Sequence, residues 1–315
     1  MRFKKLGKSG LSVSVVGIGC NNFGQRCDAG TTQNVVDAAV DAGINFFDTA
    51  DIYGPRGLSE EYLGKALKQH RREDLVIASK FAGLMGKGEG MRGASRSYIM
   101  RAVEASLRRL DTDYIDLYQQ HMPDADTPID ETLAALDDLV RAGKVRYLGN
   151  SNYQGWQIAH ADWTARSAHL NRFVSAQNLY SLLDRNVERE VIPACAEFGL
   201  GMLPYFPLAS GLLTGKYRRG EAPPQGTRLE AWGERGAASL SDSNFDAGER
   251  LGAFAATHGR SLLELAMSWL ACQPNVTSVI AGATSAEQVA ANAAAGLWEL
   301  SADELADASS AAQGD

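Results

Sequence analysis

The 315-residue chain is poor in cysteine and histidine, with four of one and five of the other, and only 8% of it is aromatic. Cysteines 20, 27, 195 and 272 make no C-x-x-C pair and no zinc-ligand spacing, which excludes a disulfide scaffold or a zinc module. They read as reduced thiols, so a cytoplasmic location is expected, and no metal site is. No apolar run reaches the ~18 residues of a membrane-spanning helix. The basic start MRFKKLGKSG lacks the apolar stretch of a signal peptide. Neither sign of charge dominates: 31 basic and 38 acidic residues leave a net charge of −7, which argues against a nucleic-acid binder. A glycine is missing too. GIGCNNFG (17–24) begins like the dinucleotide fingerprint G-x-G-x-x-G, but its third glycine position holds Asn22. GLLTGKY (211–217) fails as a P-loop, because only three residues separate Gly211 from Gly215 and Tyr217 replaces the required serine or threonine.

What is present is alternation. Hydrophobic residues make up 45% of the chain, enough for a large core. Apolar runs at 13–19, 44–50, 74–80, 113–121, 144–152, 173–178, 200–207 and 276–282 read as strands. Helical periods separate them. One covers 31–43, one opens at Ser59 as N-cap, and one starts at Ser95. Thr127 as cap with Pro128 in the first turn opens another, and others cover 155–167 and 187–199, the latter interrupted or kinked near Pro193. Ser261 with Glu264 and Ser285 with Gln288 read as capping boxes of the last two. Eight strand–helix units without a composition break point to a single (β/α)8 TIM barrel over 1–315, with a doubly wound sheet as the alternative. RFKKLGKSGLSVS reads as an N-terminal β-hairpin plugging the barrel bottom, and a long Gly/Pro-rich loop, 208–245, follows strand seven.

Barrel enzymes carry their chemistry at the C-terminal ends of the strands. Those ends hold Asp48, Lys80, His121, Ser151, Asn152, Gln177, Asn178, Tyr205 and Gly282, and Tyr53 follows Asp48 closely. Singly, each has a bland role as a cap or a first exposed residue. Together, Asp, Tyr, Lys and His at one mouth make a proton-transfer set.

These residues stand in the motifs NFFDTADIYG (45–54), IASK (77–80), DLYQQH (116–121), LGNSN (148–152), SAQN (175–178) and PLASGLLTGKY (207–217). In that order, and over nearly the whole chain, they resemble the aldo-keto reductase family. The resemblance implies hydride transfer from a nicotinamide dinucleotide to the carbonyl of an aldehyde or ketone. Tyr53 would be the proton donor, its pKa lowered by Lys80; Asp48 would hold Lys80, and His121 would orient the carbonyl. Ser151, Asn152 and Gln177 would hold the nicotinamide carboxamide, and Tyr205 would stack on the ring. Leu208, Ala209, Gly211 and Leu212 would offer amides to the pyrophosphate, with Lys216 neutralising its charge. Gly282, Thr284, Gln288 and Asn292 would meet the adenosine end. Cys20, Asn21, Asp48 and Phe206 would also touch the cofactor. Asn22, Phe23, Phe81 and Met85, with the 121–126 and 208–245 loops, would wall the substrate cleft.

NADPH is the expected cofactor, with NADH open because no lysine or arginine lies between 282 and 292. Two rival readings stand beside this one. Potassium-channel beta subunits resemble the same fold and bind cofactor with little turnover. A metal-dependent barrel lyase or hydrolase would use Asp48, Asp51 and His121. The partner expected is a small carbonyl compound; nothing points to a nucleic acid, a membrane or a particular oligomer.

Overall fold

The computed structural model describes residues 1–88 and 90–314. Two short antiparallel strands, β1 (Phe3–Lys5) and β2 (Ser12–Ser14), come first as a hairpin. Eight parallel strands follow. They are β3 (Val16–Gly19), β4 (Phe46–Asp48), β5 (Val76–Phe81), β6 (Ile115–Gln120), β7 (Val145–Ser151), β8 (Phe173–Gln177), β9 (Gly201–Met202) and β10 (Val279–Gly282). Strands β3 to β9 pair in chain order, and β10 returns to the free edge of β3. The last seam closes through parallel bridges at Met202–Val276 and Tyr205–Ile280, where Ile280 N–H donates to Pro204 O at 2.9 Å. The sheet is therefore a (β/α)8 barrel and not a doubly wound sheet.

Each crossover is a helix that lays one apolar face on the strands. The helix Arg96–Leu110 buries Ile99, Val103, Leu107 and Leu110, and Ser95 caps it by accepting from Tyr98 N–H. The helix Leu262–Cys272 has the full Ser261/Glu264 capping box. Inside the barrel, the hairpin closes the N-terminal end. Leu6 and Val13 pack against Phe46, Val76, Ala78, Leu117, Leu203 and Ile280. Above this apolar floor lies a buried polar layer of Asp48, Lys80, Gln119 and Gln177. Among the described residues, no helix is long and apolar enough to cross a membrane.

Several local expectations are corrected. The helix Leu58–Leu67 is entered from Gly57 at φ +98°, not capped by Ser59, whose hydroxyl is buried and donates to Cys20 O. Pro128 is the N-cap of Ile129–Arg141, and the Thr127 hydroxyl bonds Asp124 instead. The expected helix 187–199 is interrupted, as a short turn at Asn186–Glu188 and a helix at Val191–Phe198, but Pro193 does not kink the latter; it lies in the first turn, where its missing N–H is not needed. Ser285 caps the helix Ala286–Ala295, but the Gln288 side chain accepts from Thr284 and leaves the box half-made. The expected strand 200–207 is regular only over Gly201–Met202, because Pro204 lacks a donor and Phe206 takes φ +53°.

Candidate active site

Strand ends, loop ends and the 206–228 segment surround a cleft of about 540 Å³ at the C-terminal mouth of the barrel. Alternation along β4, β5, β6 and β8 turns Asp48, Lys80, Gln119 and Gln177 inward beneath it. Lys80 is fully buried. Its Nζ donates to Asp48 Oδ2 at 2.5 Å and to Thr49 O at 3.0 Å. A buried pair of this kind survives only when the remaining lone pairs are used. They are: Asp48 Oδ1 accepts from Gln119 Nε2 at 3.0 Å and from Gln177 Nε2 at 2.9 Å.

The turn after β4 brings Tyr53 over this layer, with the Lys80 ammonium 5.0 Å from its ring centroid. His121 meets the Tyr53 ring edge-on, at 5.6 Å between centroids. The four residues singled out in the sequence thus converge. Their protonation differs from expectation in one respect. Burial raises the Tyr53 phenol above its ordinary value; Lys80 opposes that by charge and hydrogen bond without reversing it. Burial, helped by the Lys80 charge, pushes His121 down to about 3, so its ring is neutral. His121 Nδ1 is buried without a partner, which leaves Nε2 as the nitrogen turned to the cleft.

One wall is amide-rich. Ser151 Oγ donates to Gln177 O at 2.8 Å, and Asn152, held at φ +61°, accepts from the Tyr205 hydroxyl at 2.8 Å. Phe206, Ala209, Ser210 and Gly211 all have positive φ, a strained left-handed turn beside the cleft. Leu208 and Gly211 line the cleft. The amides of Ala209 and Gly211 are spent inside the turn on Phe206 O and Leu208 O, so these residues shape the turn and do not offer donors. Ala209 and Leu212 stand behind the lining. The far end of the cleft is made by Gly282, Thr284, Gln288 and Asn292, together with Asn21 and Asn22.

Other expected wall residues lie elsewhere. Phe23 and Phe81 are fully buried in the core, Phe81 tilted against Tyr118 at 5.0 Å, and offer a substrate no surface. Cys20 is buried as well, its thiol directed at Ile18 O. Met85 faces a separate hollow with Asp51, Tyr98 and Met100. In that hollow, burial pushes the Asp51 carboxyl up to about 7. Asp48, Asp51 and His121 do not converge as metal ligands, and among the described residues no group of three such side chains does.

Sequence reasoning missed Gln119, Arg26 and Arg228. The period of two on β6, between inward Leu117 and His121, is a signal that finds Gln119. Nothing comparable marks the arginines, which lie on irregular segments. Arg228 stacks over Phe206 at 4.9 Å and reaches Asn21 and Asn22 across the cleft. Arg26, Lys216 and Arg228 all line the cleft, and among the described residues none has a carboxylate partner. Burial and the two arginine charges hold the Lys216 pKa below the ordinary lysine value.

This arrangement has relatives. The family model described as the aldo/keto reductase family matches residues 15–313. A rice protein (Oryza sativa subsp. japonica) named as a probable voltage-gated potassium channel subunit beta is 39% identical, over 93% of this chain and 90% of its own length. A Bacillus subtilis (strain 168) protein named as an uncharacterized oxidoreductase is also 39% identical, over 92% of this chain and 89% of its own. An Escherichia coli (strain K12) L-glyceraldehyde 3-phosphate reductase is 33% identical, over 93% and 86%. The match supports an oxidoreductase that acts on small molecules, and the chain belongs to the aldo/keto reductase family.

Proposed function

We propose that the chain is an NADP(H)-dependent reductase that converts the carbonyl of an aldehyde or ketone to an alcohol, with Tyr53 as the proton donor. One observation carries this reading: a fully buried Lys80–Asp48 pair sits beneath a cleft-lining tyrosine and a neutral histidine. A buried lysine of this kind is hard to explain by stability, because a hydrophobic replacement is often as stable. It makes sense as a fixed positive charge that stabilises a phenolate after the proton has left.

The cleft fits a nicotinamide dinucleotide. Its middle carries three cations without carboxylate partners among the described residues, suited to a pyrophosphate. Its deep end offers Ser151, Asn152 and Gln177 to a carboxamide and the Tyr205 face to a flat ring, and its far end offers Gln288 and Asn292 to an adenosine. The cofactor would supply a hydride to the carbonyl carbon. The protein's own part is protonation and orientation. His121 Nε2 donates to the carbonyl oxygen, whose growing negative charge draws the proton from the Tyr53 hydroxyl. Lys80 then stabilises the phenolate, and Asp48 keeps Lys80 in place.

A test compares initial rates with NADPH and NADH on a simple aldehyde. Turnover is expected, with NADPH preferred, and Tyr53→Phe should remove turnover while leaving cofactor affinity within about twofold. Normal turnover in that variant, or a strong NADH preference, would overturn the corresponding part of the reading. The channel-subunit names of close relatives favour a second reading, a cofactor-binding regulatory protein with slow turnover. It predicts that added aldehyde oxidises bound NADPH only slowly.

A further inference from the structure

Gln119 lies under the cleft floor, fully buried. An uncharged amide inside a barrel is costly unless its polar atoms are used. Both ends of Gln119 are engaged. Its Nε2 donates to Asp48 Oδ1 at 3.0 Å, and its Oε1 lies 3.5 Å from Gln177 Nε2. Gln177 Nε2 donates to the same Asp48 oxygen at 2.9 Å. With both of its N–H groups drawn down to Asp48 and Gln119, the Gln177 amide can turn only its oxygen to the cleft it lines. On its other oxygen, Asp48 holds Lys80, the cation beneath Tyr53.

We propose that Gln119 is a positioning residue that locks the Gln177 amide with its oxygen toward the cleft and ties that amide to the Asp48–Lys80 pair under Tyr53. The proposal rests on the function above, in which Gln177 meets a carboxamide. Without Gln119, the second Gln177 N–H loses its acceptor, and the single bond to Asp48 is all that still resists rotation of the amide. A rotated amide presents N–H groups to a carboxamide N–H, a donor against a donor. Affinity is then lost at the nicotinamide end alone.

The experiment measures binding of two probes by calorimetry, NADPH and 2′-phospho-ADP-ribose, which lacks the nicotinamide ring. In Gln119→Met, NADPH should bind about five- to tenfold more weakly, the loss of roughly one hydrogen bond, while the ring-less probe changes less than about twofold. Adding Gln177→Met to Gln119→Met should cost little more, because the two residues act as one unit. Equal weakening of both probes, no weakening of either, or additive losses in the double variant would overturn the proposal. Gln119→Asn withdraws the amide by one methylene and serves as the second variant should the methionine fail to fold; the same split is expected. Wild-type protein that binds neither nicotinamide dinucleotide would instead sink the parent reading.

Discussion

The Tyr53 hydroxyl lies between two opposed influences. Lys80 favours its phenolate, while burial and the nearby Asp48 and Cys20 favour the phenol. Burial wins, so the group stays protonated through neutral pH, the form a proton donor needs. His121 is subject to the same desolvation with the opposite consequence. An imidazole that must be charged in a buried place beside Lys80 stays neutral down to about pH 3. The pH profile of carbonyl reduction follows from these two directions. For kcat/KM with aldehyde, the rate should run flat from about pH 5 to 8, without the step near 6.5 that an ordinary histidine gives, and should fall only on the alkaline side. A step near 6.5 that disappears in His121→Gln would overturn the assignment of a permanently neutral histidine.

Between strand β4 and the next helix, the chain must turn sharply to bring Tyr53 over the mouth, and Gly57 makes the last part of that turn. At φ +98° any side chain is strained, and a Cβ there would run into the Arg109 guanidinium. That guanidinium is paired at 2.7 Å with the buried Glu60. Gly57→Ala should therefore destabilise the protein by about 2 kcal/mol and lower turnover with it, since Tyr53 sits four residues upstream. An unchanged thermal unfolding midpoint would refute the argument. The same segment shows what the sequence makes legible and what it does not. Apolar runs and Ser95 or Ser261 caps are local signals, so the barrel and its order can be read directly. Ser59 looks like another cap, yet it is buried because Gly57 supplies the turn and the hydroxyl is needed by Cys20 O. Phe23 and Phe81 look like pocket walls because they stand near strand ends, but Phe81 ends β5 beside inward Lys80, so the period of two turns it outward against Tyr118, and Phe23 lies past a short turn where no period applies. Asp48, Tyr53, Lys80 and His121 were legible because each ends a strand or follows one. Arg228 was not, since a segment without periodicity gives no face.

Across the whole molecule the charge is −7, yet Arg26, Lys216 and Arg228 gather in the one cleft that holds Tyr53. Burial lowers the Lys216 and Arg228 values, and the neighbouring arginine charges add a smaller cost of like-charge repulsion. An anionic ligand relieves it, so part of the binding energy comes from strain already present in the free protein. The position of the cluster decides which anion. Lys216 packs on Gly211, and Arg228 lies over Phe206, next to Tyr205 at one end of the cleft and reaching Asn21 at the other. On the proposed function, that is the middle of an extended dinucleotide, where a pyrophosphate would lie, and not its 2′-phosphate. Arg228→Met should then weaken NADPH and NADH alike, by about tenfold, and flatten the salt dependence of both affinities. The measurement is a fluorescence titration of each cofactor at two salt concentrations. A loss confined to NADPH would move the cluster to the ribose phosphate, and would make Arg228 the cofactor-selecting residue that the stretch 282–292 does not contain.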